Sequence, residues 1–369
     1  MKKYEKYMKQ CIKLAKKGGG KTSPNPLVGC VVLDKNGNEI SSGYHEKYGE
    51  LHAEANALNK LKANESEGGT LIVNLEPCSH HGKTPPCAYL IIEKKIKTLV
   101  IGMKDPNPLV SGAGIKKCQK AGIEVIENVL LEDVLKLNEI FIKNMTKKAC
   151  FIALKTATTL DGKIATKTGD SKWITSDKAR KKVQKIRNHY DAILTTSSTV
   201  IKDNPSMNCR LKNGKNPIRI LLDRELKTDF NSKIYHSVGE KIYIAIDENS
   251  SSQKISGIPI NVEIIKCPVN NEKLDLVFLF EKLFELKIMS VLIEAGGKLN
   301  GEALSLGLVD KIYQFIAPKI LADKTGLNAF EGRNIGNLSD SIDFRIDKIQ
   351  VFEPDILVIL YKKDKKNGT

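Results

Sequence analysis

Two successive α/β domains are what this sequence predicts, and three observations predict them. At 369 residues the chain exceeds one typical core and fits two, at roughly 100–200 residues per domain. Short apolar, β-branched runs alternate with helical patterns, the signature of layered α/β architecture. That alternation ends near Asn144–Lys148 and a new series starts at Ala149, so the expected domains are 1–147 and 148–369.

In the first domain, Tyr4, Tyr7, Met8, Cys11, Ile12 and Ala15 recur at helical spacing between lysines, and Gly18-Gly19-Gly20 stops the pattern, so the chain opens on an amphipathic helix. Thr22–Pro26 is a loop by composition. Leu27–Leu33 reads as a buried strand ending at the Asp34–Asn38 turn, with Ile40–Tyr44 as its partner. His52 opens a helix to about Leu61, which puts Glu54 on its first turn. Thr70–Leu75 is a strand delivering Glu76-Pro77-Cys78, and Cys87 opens a helix over Ala88–Lys95. A strand at Leu99–Gly102, a turn at Asp105–Pro108, a helix around Ile115–Ala121 and a strand at Ile123–Val129 complete the domain.

In the second domain Phe151–Ala157 is a strand, Leu160–Ala165 a turn with its flanks, and Ser176 caps a helix reaching Arg187. Ala192–Thr195 is a strand entering Ser197–Val200, and further strands are expected at Ile218–Leu222, Ile242–Ile246, Val262–Ile265 and Ser290–Glu294. The last runs into Ala295–Gly301 and a helix from Glu302. A strand feeding a glycine turn at a helix start presents backbone N–H groups to a phosphate, although the same turn also serves tight packing, and it lacks G-x-G-x-x-G spacing. Strands at Lys311–Ala317 and Ile356–Tyr361 end the series.

Composition narrows the function. With 41% hydrophobic and 28% charged residues the chain has the make-up of a folded, water-soluble protein. No run is long and apolar enough to span a bilayer, and the Lys-rich start lacks the apolar centre of a signal peptide, so a cytoplasmic protein without membrane partners is expected. Eight scattered cysteines fit a reducing compartment better than a disulfide framework. The net charge of +16 divides evenly, with +8 on either side of position 150. No basic run is interleaved with aromatics, so nucleic acid is not an expected partner. Only seven arginines stand against 52 lysines, and five of them (Arg180, Arg187, Arg210, Arg219 and Arg224) fall between 180 and 224. A planar guanidinium fork suits phosphate or carboxylate, although exposed ion pairs use arginine equally.

The strongest chemical signal is His52-Ala53-Glu54 followed by Pro77-Cys78 and Cys87. One imidazole and two thiolates suit zinc and leave a fourth position open for water, whose pKa the metal lowers. Glu54 is then the carboxylate that shuttles protons. Helix starts at His52 and Cys87 would favour the thiolates. Zinc nucleobase deaminases carry H-x-E with P-C-x-x-C. Here eight residues, including the competing donors His80 and His81, separate the cysteines. That spacing argues against a deaminase of free nucleosides or tRNA. A nucleic-acid-binding protein with a structural zinc is the rival from another class.

Together, Asn25-Pro26-Leu27-Val28-Gly29, His52-Ala53-Glu54, Glu76 through Cys87, Asp105-Pro106-Asn107-Pro108, Lys155, Thr159–Lys163, Ser171–Thr175, Asp203-Asn204-Pro205 and Glu294–Gly297 resemble the bifunctional riboflavin-biosynthesis deaminase/reductase family over nearly the whole chain. The resemblance implies a cytidine-deaminase-like three-layer domain followed by a dihydrofolate-reductase-like domain. It implies zinc on His52, Cys78 and Cys87, catalysis by Glu54, and substrate contacts at Asn25, His45, His80 and Lys83. His45 equally suits a turn histidine. In the second domain it implies NADPH at Ala157, Trp173, Thr199, Asp203, Arg224 and the turn Gly296, Gly297, Lys298, Leu299, Asn300, Gly301 and Glu302. Substrate contacts fall on Ser171, Arg187, Met207, Arg210 and Glu294, with Met207 where an aliphatic residue is expected. Lys155 or Asp203 would handle the proton. The implied reactions are hydrolytic deamination of a phosphorylated diamino-pyrimidinone riboside and NADPH-dependent reduction of its ribosyl chain, in a homo-oligomer.

Overall fold

The computed structural model describes residues 2–79, 86–212, 214–236, 241–250 and 257–363. It forms two compact units, Met1–Ala149 and Cys150–Thr369.

Unit 1 is built on a five-stranded sheet in the order β2-β1-β3-β4-β5, from β1 (Gly29–Leu33), β2 (Glu39–Tyr44), β3 (Thr70–Leu75), β4 (Thr98–Met103) and β5 (Glu124–Ile126). β1 runs antiparallel to β2 and β3, while β3, β4 and β5 are parallel. Every residue of β1 and β4 is buried, as expected of strands covered on both faces. The cover comes from α1 (Lys2–Ala15), α2 (Ala53–Leu58), α3 (Cys87–Glu93), α4 (Ala113–Lys120), α5 (Leu131–Leu137) and α6 (Glu139–Lys147). α1 turns Tyr4, Met8, Cys11, Ile12 and Ala15 into the core, the stripe its spacing predicts. α2 is shorter than expected and β5 spans only three residues. α5 and α6 were not foreseen. Between them Asn138 is buried and does a specific job: its Oδ1 accepts from Leu27 N at 2.8 Å and its Nδ2 donates to Leu27 O at 3.1 Å. Buried Asn74 on β3 donates to the same carbonyl and accepts from Gly29 N. The two amides fix the Asn25–Leu27 loop from both sides.

Unit 2 is built on a nine-stranded sheet in the order β11-β10-β9-β8-β14-β6-β15-β18-β17. Its strands are β6 (Phe151–Thr158), β8 (Ala192–Thr196), β9 (Ile218–Leu222), β10 (Ile242–Asp247), β11 (Val262–Cys267), β14 (Ser290–Ile293), β15 (Lys311–Ile316), β17 (Phe344–Phe352) and β18 (Asp355–Lys362). The seven from β11 to β15 are parallel, and β18 and β17 close the far side as an antiparallel pair. Short strands β7 (Lys163–Ala165) and β16 (Leu327–Asn328) pair with each other, as do β12 (Val269–Asn270) and β13 (Lys273–Leu274). The helices are α7 (Asp177–Arg187), α8 (Ser197–Asp203), α9 (Leu276–Glu285) and α10 (Gly297–Ser305). Ser176 caps α7 as expected, its hydroxyl accepting from Ala179 N. β14, late in sequence, inserts between β8 and β6. Leu194 and Leu154 therefore flank Ile293 in register, and the residues that follow them emerge together at the carboxyl ends of three parallel strands. In open α/β sheets this is where a ligand crevice forms.

α10 corrects the sequence expectation. It begins at Gly297, not at Glu302, and only Gly296 stands outside it, at the N-cap. A Cβ on Gly297 would lie 2.2 Å from Asn328 O, and one on Gly301 would lie 1.7 Å from Glu331 O. These glycines, one helical turn apart, let the 328–331 backbone lie against the helix. The close packing accounts for glycine at 297 and 301, and Gly296, at the N-cap, has open space around it.

Candidate active sites

In unit 1 the first donor, His52, is the residue before α2. The second, Cys78, follows β3, and the third, Cys87, is the first residue of α3. Sγ of Cys78 and Sγ of Cys87 each lie 3.5 Å from His52 Nδ1, and the three donor atoms fall within 4.8 Å of one another. Tetrahedral zinc, with bonds of about 2.0–2.1 Å to nitrogen and about 2.3 Å to sulfur, separates such a pair by about 3.6 Å. The donor set therefore fits the ion in both chemistry and spacing. Cys87 N donates to Cys78 Sγ at 3.3 Å. A hydrogen bond from the Cys87 thiol lowers the Cys78 pKa despite burial, and the same contact, with burial, raises that of Cys87.

Glu54, in the first turn of α2, is 3% exposed. Burial, reinforced by the Cys78 charge, pushes its carboxyl up to about 7. His45, 2% exposed, has both ring nitrogens engaged: Nδ1 lies 3.0 Å from Leu51 O and Nε2 3.1 Å from Asn25 Nδ2. A carbonyl can only accept, so Nδ1 carries the proton and Nε2 accepts from Asn25. Burial lowers the His45 pKa further below its ordinary value, which keeps this neutral tautomer. Its ring meets that of His52 edge-on, with centroids 5.6 Å apart. Asn25, His45, His52, Glu54 and Cys78 all line one cavity of about 320 Å³. His80 and Lys83 lie outside the described residues. Sequence reasoning missed Tyr48, Glu50, Phe141 and Met145 in the wall. It quoted Asp105 and Asn107 as motif residues without giving them a place there.

In unit 2 a cleft of about 480 Å³ opens at the carboxyl ends of β6, β8 and β14. At its floor is a buried ionic cluster. Arg187, at the end of α7, makes a two-pronged contact with Glu294, Nε to Oε1 at 2.7 Å and Nη2 to Oε2 at 3.0 Å, and its Nη1 donates to Asn208 O at 2.9 Å. Lys155 Nζ stands 3.8 Å from Glu294 Oε2. Burial opposes the charge on Glu294, but Arg187 and then Lys155 outweigh it and bring the carboxyl to about 2. Burial lowers the Lys155 pKa, and Arg187 adds to the effect.

Ala157, Ser171, Trp173, Thr199, Asp203, Met207, Arg210 and Gly296 line the same cleft. Trp173 is 63% exposed, so it is no core residue. The Arg180 guanidinium stacks 4.2 Å above its ring centroid, a contact that sequence reasoning missed along with Lys202. The cleft does not include Arg224, whose guanidinium bonds Glu272 O and the Glu225 carboxylate. Nor does it include Gly297, Lys298, Leu299, Asn300, Gly301 or Glu302. Of these, buried Asn300 donates to Ala329 O at 2.9 Å, and Glu302 pairs with Lys273 at 3.4 Å.

Known proteins align with both units. Residues 1–103 match the model of the cytidine and deoxycytidylate deaminase zinc-binding region, and residues 150–358 match the RibD C-terminal domain. The riboflavin biosynthesis protein RibD of Actinobacillus pleuropneumoniae is 42% identical over 95% of this chain and 93% of its own. That of Escherichia coli is 37% identical over 96% and 98%. The crystal structure of a diaminohydroxyphosphoribosylaminopyrimidine deaminase/5-amino-6-(5-phosphoribosylamino)uracil reductase from Thermotoga maritima superposes with a TM-score of 0.87, at 42% identity over 98% of this chain and 99% of that one. Acinetobacter baumannii RibD gives 0.88 at 32% identity, with the same coverage.

Proposed function

The chain belongs to the RibD family of bifunctional riboflavin-biosynthesis enzymes, and from that premise we propose that unit 1 deaminates a phosphoribosylated diamino-pyrimidinone and unit 2 reduces the ribosyl chain of the deaminated product. The expected fold class, a cytidine-deaminase-like domain followed by a dihydrofolate-reductase-like one, stands. The observation that carries the reading is His52, Cys78 and Cys87 at zinc spacing, with His52 and Cys78 in one cavity with buried Glu54.

When bound on His52 Nδ1 and the two Sγ atoms, zinc supplies an acidified water. Glu54 takes the proton of the attacking water at its carboxylate and returns it to the departing nitrogen, which leaves as ammonia. His45, accepting from Asn25 Nδ2 at its unprotonated Nε2, orients the Asn25 amide, which presents its remaining polar positions to the substrate's polar edge. His80 and Lys83 are proposed as further contacts on the family pattern, Lys83 as a point charge for the phosphate.

NADPH supplies the hydride in unit 2. Ala157, Trp173, Thr199, Asp203 and Gly296 are proposed to hold it, and Ser171, Arg187, Met207, Arg210 and Glu294 to hold the substrate. Glu294 keeps Arg187 and Lys155 charged and fixed at the floor. The ring oxygen freed as the ribosyl carbon is reduced takes a proton from Lys155 or Asp203. Arg224 and Gly297–Glu302, which do not line the cleft, are proposed as cofactor contacts on the family pattern alone.

Copies of the chain are proposed to associate through the edge strand β17, where Ile346, Ile349 and Val351 are each more than half exposed. A cytoplasmic setting is in keeping with eight free cysteines. Among the described residues no helix is long and apolar enough to cross a membrane.

The test is a coupled assay of ammonia release and NADPH oxidation for wild type and Glu54→Gln. Wild type gives both signals. The variant retains zinc and oxidises NADPH when given the deaminated intermediate, but loses ammonia release by about 10²–10⁴-fold. Zinc-loaded wild type that releases no ammonia would overturn the deaminase reading and bring a structural zinc forward.

A further inference from the structure

Glu76 stands between the last residue of β3 and the Pro77-Cys78 pair, and none of the chemistry above uses it. It is 5% exposed. Its carboxylate accepts from four backbone N–H groups: Oε2 from Asp105 at 3.0 Å and Gly112 at 2.9 Å, Oε1 from Gly114 at 2.9 Å and Ile115 at 3.3 Å. An ionised carboxylate offers about four acceptor positions, so these donors fill it.

The donors are the two ends of one loop. Asp105 follows β4, and Gly112–Ile115 lead into α4. The helix depends on this outside acceptor, because its N-cap is Gly112, at φ 79°, with no side chain to satisfy the first N–H groups. Between the ends the loop folds on itself. Asn107 N donates to Asp105 Oδ1 at 2.8 Å, and Val110 N and Ser111 N donate to Asn107 O at 3.1 and 3.0 Å. Asp105, Asn107 and Val110 line the same cavity as His52, Glu54 and Cys78.

We propose that Glu76 is a positioning residue for the deaminase. By clamping both ends of the 105–112 loop it sets where that wall stands, and hence how tightly the cavity takes a phosphoribosylated pyrimidine. The inference rests on the deaminase reading of unit 1.

The experiment uses the full zinc-loaded chain as wild type, Glu76→Gln and Glu76→Asp. Replacing one oxygen by an NH₂ group sets a donor against donors. With Glu76→Gln, KM for the deaminase substrate rises about tenfold while kcat stays within about threefold. Zinc content and NADPH oxidation with the deaminated intermediate are unchanged. In hydrogen exchange the amides of Asp105, Gly112, Gly114 and Ile115 exchange faster, and those of β3 and β4 do not. Glu76→Asp, which keeps the charge on a shorter stem, falls between the two. The proposal is overturned if those amides loosen and KM does not move, or if zinc content and kcat fall with KM unchanged, which is what a purely structural role produces. Where Glu76→Gln does not fold, Glu76→Asp decides between the same outcomes. If wild type releases no ammonia, the deaminase reading has failed, and the exchange result still decides whether Glu76 holds the loop.

Discussion

Glu294 is a carboxylate that burial alone would keep protonated and that two cations keep charged. Its pKa of about 2 against an ordinary 4.5 is a statement about stability, and the sign follows from linkage. A depressed carboxylate contributes fully above its unfolded pKa and loses that contribution as pH falls through its folded pKa. Acid unfolding should therefore show a component of about 3 kcal/mol lost between pH of about 4.5 and about 2, absent in Glu294→Gln. At pH 7 the same variant should be less stable by about 3 kcal/mol, since it leaves Lys155 and Arg187 without their counter-charge, and urea unfolding measures it. Its ammonia release should be unchanged. Residues of this kind were legible when their type and neighbours carried the chemistry, as with His52, Glu54, Cys78 and Cys87. Glu76 was quoted in the motif and given no role, because everything it binds is main chain, and main-chain donors leave no trace in a sequence. Arg180 was noticed only as one of a cluster, since its partner Trp173 stands seven residues earlier across a loop.

α10 tests how far glycine can be read at the level of an element. Gly296 and Gly301 look alike in sequence, but a Cβ at Gly296 would meet nothing within 4 Å, and one at Gly301 would meet a backbone oxygen at 1.7 Å. Gly301→Ala should cost about 1–3 kcal/mol through forced backbone movement, whereas Gly296→Ala should stay within about 0.5 kcal/mol; urea unfolding of the two variants separates them. The strands at Thr70–Leu75 and Ile218–Leu222 and the helix capped by Ser176 were readable because apolar runs and a cap marked their ends. α9 was not. Leu276–Glu285 is so apolar that its period blurs, and its one clear mark is Asp275, whose carboxylate accepts from Phe278 N at 3.0 Å. α5 and α6 were lost because each is short and their junction at Asn138 is fixed by contacts to Leu27, more than a hundred residues away.

At the scale of the molecule, one chain carries two sites with different requirements. On the proposed function, unit 1 depends on an ion held by three side chains, and unit 2 on a cleft whose charges are its own. Chelation should lower ammonia release by at least about a hundredfold and leave NADPH oxidation of the deaminated intermediate intact, with zinc addition restoring the first. The alternation of strands and helices and the restart near Ala149 made two domains legible, but the insertion of β14 between β8 and β6, which gathers Glu294 and Lys155, is a long-range pairing that no local pattern announces.

The distribution of sulfur gives this protein a built-in gauge. Of its eight thiols seven are buried, and Cys78 alone is partly open to solvent. A bulky alkylating reagent applied to the folded chain should therefore add a single label, at Cys78, when the ion has been stripped, and none when it is in place. The mass of the intact protein then reports the loaded fraction of a preparation without any assay of turnover.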